Sequence, residues 1–384
     1  MNKITYNRQY IDNSDIKILS IAAKQKLITT GNFVKKFEKS FEKYLKVKNS
    51  ISCINGTAGL DLAFKAIELN TNDVIVMPVV NFVASYSMAN NLKAKIVLSD
   101  VDPITGQMTP QTLIDCIKKN RLKKIKAVVT MYLGGFAENI EKFYFLKRKY
   151  KFLLIEDACH ALGSKYQIDN KIYRIGSCKH SDICVFSFHP VKSITTGEGG
   201  MVTTNNKIFA KKIKLIKNHN MIKSKNYWEY DIKKCSINYR LSDINCALGI
   251  SQLKKIDKFL KARLEIYRYY SNQIKKSKFF SSLITLPKYG SVKNSSHHLF
   301  LMNFNFKKAK KNKNSFIKYL NKNKIFPQFH YKPLNMFSFY KKKKSMQFPG
   351  SLKYFKETLS MPIFYELKKK ELDYIIKKIN LFFA

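Results

Sequence analysis

"FSFHPVKSITTGEGGM", residues 186–201, decides how the rest of the chain is read. An apolar run ends at Ser187, His189-Pro190 breaks the chain direction, and "TTGEGG" (195–200) allows a tight return into a following strand. Lys192 stands between the break and the return. On a surface such a lysine would only snorkel into water. Held in a cleft with its ammonium desolvated, it becomes a candidate nucleophile toward an aldehyde. What the flanking segments bring to the same place separates the two readings.

Upstream, short apolar runs alternate with helical periodicity. "NSISCIN" (49–55), "DVIVMPV" (73–79), "AKIVLSDVD" (94–102), "IKAVVTMYL" (125–133) and "KFLLIEDA" (151–158) read as strands. Segments 56–69, 82–92, 109–119 and 139–150 read as the intervening helices, and 33–47 as an amphipathic surface helix. The opening stretch adds strands at 182–188 and 199–205, followed by a helix over 207–217. This alternation predicts an α/β fold with a large, mostly parallel sheet covered on both faces, and ligands at the carboxyl ends of its strands. Residues 238–276 read as one or two helices. From about residue 280 the texture changes, and "SSHHLFLMNFNF" (295–306), "FPQFHYKPL" (326–334) and helices at 315–324 and 368–383 suggest a smaller α+β unit. The expected division is 1–255, N-terminal arm included, and 256–384.

Three features then fall at expected strand ends. "INGTAG" (54–59) runs a strand into a helix N-terminus, whose free N–H groups and positive dipole end suit a phosphate, although such a turn is also an ordinary cap. In "FLLIEDACHALG" (152–163), Asp157 ends an apolar run, and a buried carboxylate needs a partner such as a protonated ring nitrogen. His160 follows one turn later. The third feature is Lys192. A phosphate cradle, an acid for a pyridinium nitrogen and a lysine for an aldehyde are the handles of pyridoxal 5'-phosphate.

Composition bounds the alternatives. The chain has 384 residues, 45% hydrophobic, with a formal net charge of +45. That charge invites a polyanion partner. The excess is lysine, however, and it is scattered through "KKAKKNKNS" (307–315), "KKKK" (341–344) and "KKK" (368–370), which read as solvated faces; coding bias accounts for it, and no nucleic-acid partner is expected. Seven cysteines without a CxxC pair argue against a disulfide framework and against a metal site. No apolar run approaches the length of a membrane span and the N-terminus has no apolar leader, so a cytoplasmic protein without a membrane partner is expected.

At these residues the sequence resembles the sugar aminotransferases of the DegT/DnrJ/EryC1/StrS family, which have the type I aminotransferase fold. The resemblance runs through "YNRQYID" (6–12), "TTGNFVKKFE" (29–38), "NGTAGLDLA" (55–63), "NFVASYSMAN" (81–90), "IEDACHALGS", the opening stretch, "NYRLSDINCALGISQLKK", "SSHHLF" and "QFHYKPL". It implies a transaminase that uses pyridoxal 5'-phosphate and an amino acid, glutamate foremost. Within the family the chain most resembles members that aminate C4 of a UDP-linked 4-keto-6-deoxy-N-acetylhexosamine in pseudaminic acid synthesis; the alternative is another nucleotide-linked keto-sugar, a precursor of bacillosamine, legionaminic acid or O-antigen. By position the resemblance implies Lys192 for the cofactor aldehyde, Asp157 for the pyridine nitrogen and His160 near the phenolic oxygen. It implies Thr57, Ala58 and Ser187 at the phosphate, and Phe82 stacked on the ring. Asn238 would reach the phosphate from a neighbouring subunit, hence a homodimer with shared sites. Tyr6, Arg240, His330 and Tyr331 would meet the nucleotide-sugar or the donor. Two departures stand out: Ser236 where relatives often have glycine, and Cys159 where a small residue is usual. Members that dehydrate their sugar carry histidine in place of the lysine, so Lys192 favours transamination.

Overall fold

Seven five-residue strands form the large sheet of the computed structural model, which describes residues 3–226, 228–340 and 348–384. In chain order they are β1 Asn49–Cys53, β2 Val74–Pro78, β3 Lys95–Ser99, β4 Ala127–Met131, β5 Leu153–Asp157, β6 Ile183–Ser187 and β7 Gly200–Thr204. Their spatial order is β1-β7-β6-β5-β4-β2-β3. Only β7 runs against its neighbours, with Gly200 opposite both Cys53 and Ser187. The carboxyl ends of β1, β6, β5 and β4 therefore share one edge with the start of β7.

Apolar residues occupy both faces of these strands, as a sheet covered on two sides requires. In β6, Ile183 and Val185 pack into one core with helix Gly56–Ala66, while Cys184 and Phe186 pack into a second with helix Asn32–Leu45. That second helix buries Phe33, Phe37, Phe41 and Leu45, a stripe at spacing four. Phe37 and Phe41 hold Phe188 at centroid distances of 5.5 and 5.3 Å. Each such ring contributes about 2 kcal/mol or more through burial. Because Phe186 and Phe188 are drawn to this side, the residue between them, Ser187, is presented to the other.

The chain beyond β7 passes through helix Lys207–Lys217, a hairpin (Met221–Lys223 and Tyr230–Ile232) and helix Asp243–Lys254, and turns at Lys255 into helix Ile256–Lys276. A three-stranded antiparallel sheet follows, made of Ile284–Thr285, Phe300–Phe304 and Thr358–Met361. It shares a core of Phe300, Phe304, Phe316 and Phe383 with helices Ile256–Lys276, Lys313–Lys322 and Lys369–Phe383. The first residues of the chain join this second core: Ile4–Thr5 pairs with Ile325–Phe326, and Ile4 is buried there.

Several elements lay outside the sequence reading. Helix Asn13–Ala23 buries only Asp15 and Ala22, so it has no apolar stripe; the Asp12 capping box and Lys255, whose ammonium meets Asp12 and Asp15, hold it instead. Two hairpins, Lys165–Ile168 with Lys171–Arg174 and the one after β7, are too short to declare themselves. The lysine runs divide. Lys368, Lys369 and Lys370 are exposed, and 341–344 lies outside the described residues. Lys313, expected to be solvated, instead lies 4.1 Å from the Phe329 ring centroid and donates to the Phe355 carbonyl at 2.5 Å. No described helix is long and apolar enough to cross a membrane, all seven cysteines are free, and no cluster of metal-binding side chains occurs among the described residues.

Candidate active site

The shared strand edge opens into a cavity of about 580 Å³. Tyr6, Thr57, Phe82, Asp157, His160, Ser187, Lys192, His330 and Tyr331 all line it, so the structure brings together nine side chains scattered over more than three hundred positions. Ala58, Asn238 and Arg240 do not.

One end is a helix N-terminus. Asn55 caps helix Gly56–Ala66, its Oδ1 accepting the Ala58 N–H at 2.8 Å. The Ala58 N–H, expected at the phosphate, is engaged by this cap, and its side chain is buried. The groups left facing the cavity are the Gly56 and Thr57 N–H, orphaned by helix geometry, with Ser187 alongside. Gly56 is required by close approach. A Cβ there would come within 2.9 Å of Ser187 Cβ and 3.1 Å of Cys159 Sγ.

At the end of β5, Asp157 is 3% exposed. Its Oδ1 accepts the Cys159 N–H at 3.2 Å, and its Oδ2 lies 3.4 Å from Ser85 Oγ. Both contacts are long, and no ion pair holds the carboxylate among the described residues. Burial pushes its pKa up, opposed by the Cys159 contacts and by the Lys192 charge. A cationic group in the cavity would reverse that shift. Lys192 projects from the turn closed by its own N–H to the His189 carbonyl at 2.8 Å. Desolvation lowers its pKa, with Cys159 and Asp157 pulling the other way, so its neutral amine is more accessible than a surface lysine's.

His160 closes the floor. The Gly134 N–H points at its Nδ1 at 3.4 Å, which places the ring hydrogen on Nε2, 3.0 Å from the Tyr331 hydroxyl. Burial keeps this imidazole neutral, helped by Lys192, His298 and His330. Phe82, at the start of helix Val83–Asn91, is 51% exposed and tilts toward Tyr331 at 5.7 Å. His330 Nδ1 meets Ser360 Oγ at 2.9 Å, and the Tyr6 ring leans on His330 at 5.0 Å. Arg240 donates to Asn218 Oδ1 at 2.5 Å, away from the cavity. Asn238, whose Oδ1 accepts the Arg240 N–H, sits in an exposed loop. Ser236 donates to the Ile216 carbonyl at 3.0 Å, so a side chain is accommodated there.

Sequence reasoning missed Asn55, Glu198, His298, Gln328 and Phe329, which also line the cavity. An asparagine directly before a helix was a readable cap signal for the first. The others come from turns and the C-terminal unit, where no local pattern marks a cavity wall.

These residues fit pyridoxal 5'-phosphate: a helix N-terminus for the phosphate, a buried acid lacking a cation, and a desolvated amine beside both. Comparisons with known proteins agree. The model of the DegT/DnrJ/EryC1/StrS aminotransferase family matches residues 9–380. A Campylobacter jejuni protein named UDP-4-amino-4,6-dideoxy-N-acetyl-beta-L-altrosamine transaminase is 36% identical over 373 residues, covering 97% of this chain and 95% of the relative. The structure of Helicobacter pylori PseC, described as an aminotransferase involved in the biosynthesis of pseudoaminic acid, superposes with a TM-score of 0.89 at 26% identity, covering 100% of this chain and 99% of that one. The pyridoxal-phosphate form of a Streptococcus pneumoniae putative sugar aminotransferase, Spr1654, superposes at 0.87 with 25% identity, covering 99% and 98%.

Proposed function

The chain belongs to the DegT/DnrJ/EryC1/StrS family of pyridoxal-phosphate-dependent sugar aminotransferases, and from that premise we propose that it moves an amino group from an amino acid, glutamate foremost, to C4 of a UDP-linked 4-keto-6-deoxy-N-acetylhexosamine. The substrate class rests on the relatives that match 97% of the chain. The observation that carries the chemistry is Asp157, a carboxyl 3% exposed that faces the cavity without a cation.

Pyridoxal phosphate, when bound, supplies an aldehyde that takes up the donor's nitrogen and a ring that delocalises the electron pair of the donor's α-carbon. The chain's residues do the rest. Gly56 and Thr57 N–H groups with Ser187 Oγ would bind the phosphate, using the positive end of an 11-residue helix. Asp157 would hold a proton-bearing ring nitrogen, which would relieve its own desolvation. The Lys192 amine would hold the aldehyde and, free again once the donor is bound, would be the base that takes the donor's α-proton. His160, neutral and anchored by Tyr331, would meet the phenolic oxygen, and Phe82 would cover the ring, a contact worth about 1 kcal/mol. Tyr6, His330 and Tyr331 face the substrates.

The working unit we propose is a homodimer. The hairpin after β7 and the loop that follows expose Ile222, Trp228, Tyr230, Ile232 and Ile237, an apolar surface unusual for a free hairpin. Asn238 stands at its end and in such a dimer would serve the neighbouring cavity. Arg240 would act there too, rather than in its own.

The test is a two-stage reaction. Cofactor-loaded protein should lose its visible absorbance on adding glutamate and regain it on adding the UDP-4-keto sugar, with the 4-amino sugar as product. Recovery only with another nucleotide-linked keto-sugar would transfer the assignment to that substrate. No response to any amino acid would end it.

A further inference from the structure

His298 lines the same cavity and has no part in the roles above. Its ring is 1% exposed, and neither Nδ1 nor Nε2 has a hydrogen-bond partner. A neutral imidazole carries one donor and one acceptor, and leaving both buried and unpaired is costly. The placement is well enforced. The His298 carbonyl accepts from Asn7 Nδ2 and from Arg263 Nη1, each at 3.4 Å. The neighbouring Ser296 and Leu299 N–H groups donate to the Gly135 and Gly134 carbonyls. Gly135, at φ 91°, admits this approach, since a Cβ there would fall 2.0 Å from Ser296 Oγ. His297, at φ 48°, turns the chain, and its own ring goes to the Val292 carbonyl and the edge of Phe136. One face of the His298 ring rests on His160, centroids 4.1 Å apart. Partners for its nitrogens must come from the cavity's contents.

The surroundings select what those contents are. The charged groups that act on His298 are Lys192 and Arg263, and the rings beside it, His160 and His330, are neutral; the carboxylates that line the cavity, Asp157 and Glu198, are not among the groups that shift it. Arg263 is 3% exposed and holds only carbonyl oxygens and Asn7 Oδ1. The local potential therefore favours an anion. The phosphate cup lies at the β1, β6 and β7 ends, and Asp157 on β5. His298 lies beyond β5, against Gly134 just after β4, so the anion it faces is not the cofactor's phosphate.

We propose that His298 is a ligand-binding residue that donates a ring N–H to the carboxylate of the amino-acid donor. The inference rests on the transaminase reading of the cavity. Glutarate, a dicarboxylate with no amine to react, is the probe. Cofactor-loaded protein is titrated with it by calorimetry and by the ¹⁵N shift of the His298 ring. In His298→Phe the affinity for glutarate should fall roughly 10- to 100-fold, the loss of one hydrogen bond to a charged group. His298→Gln, which keeps a donor, should recover part of it. Cofactor affinity measured by fluorescence, and the KM for the nucleotide-sugar, should stay unchanged. Unaltered glutarate affinity, a parallel fall in cofactor affinity, or a change confined to the nucleotide-sugar would each overturn the proposal. If His298→Phe fails to fold, an unmoved His298 ring shift in the unaltered protein overturns it equally. Protein that binds no cofactor would instead defeat the transaminase reading, so the two failures are distinguishable.

Discussion

One wall of the cavity lies at the ends of β1, β5, β6 and β7 and in the turn after β6 that carries Lys192; the other is rings, Tyr6, His298, His330 and Tyr331 from the two ends of the chain, with His160 beneath them. The first wall is rigid because its groups are strand termini inside a sheet, and it offers N–H groups and one carboxylate at fixed places. The second is built from side chains that touch each other, His160 to Tyr331 by a hydrogen bond and Tyr6 to His330 by ring contact. The division suits an enzyme that must hold one cofactor permanently and exchange two substrates. Rigid backbone holds what stays, and side chains from a second structural unit meet what comes and goes.

Changes to the first wall should be the most damaging. Lys192→Ala should lower transamination at least about 10³-fold, since nucleophile and proton carrier vanish together. Steady-state turnover reads this, and a milder loss would move the proton transfer to another group. Asp157→Asn should cost about 10²-fold in rate, as an electrostatic partner is lost. The same variant should leave cofactor-free protein as stable as before or more stable, because a buried acid without a cation is removed. A marked fall in melting temperature would show instead that Asp157 serves the fold. Gly56→Ala should cost about 2 kcal/mol in denaturant unfolding through its clash with Ser187 and Cys159, and should weaken phosphate-bearing ligands in particular.

The ring wall should yield smaller, pH-dependent effects. Burial holds His330, in that wall, down to about 3 and His297, whose ring lies behind it against Val292 and Phe136, to about 4, against an ordinary 6.5. Unfolded, both take up protons below 6.5; folded, they stay neutral. Each therefore removes stability as pH falls from 6.5 toward its folded value, at up to about 1.4 kcal/mol per pH unit. Urea titrations between pH 7 and 5 would read this, and stability that does not fall on acidification would contradict the neutral, buried imidazoles. Tyr331→Phe removes the partner of His160 and should cost about 1 kcal/mol, with phosphate binding at the other wall untouched.

The contrast also explains what could be read from the sequence. The first wall was legible because each piece is local: a strand followed at once by a glycine-threonine helix start, an acid closing an apolar run, and a lysine between a Pro break and a glycine turn. Even there, Asn55 took the Ala58 N–H, a cap that shifted the open donors back to Gly56 and Thr57. The second wall was only partly legible. His330 and Tyr331 came from resemblance, whereas His298 was invisible, because its meaning lies in two unpaired nitrogens that only tertiary packing reveals. The N-terminal helix was missed for a related reason: it is held by Asp12, Asp15 and Lys255, charges far apart in sequence, rather than by an apolar stripe.

The central claim is that Lys192, among all the lysines of a strongly basic chain, is the one that meets the cofactor. Incubation with pyridoxal phosphate, borohydride reduction and peptide mass mapping test it most directly. The account predicts a single phosphopyridoxyl adduct on Lys192, in a yield lowered by Asp157→Asn. Label spread over surface lysines, or concentrated on any residue outside the 186–201 stretch, would contradict it.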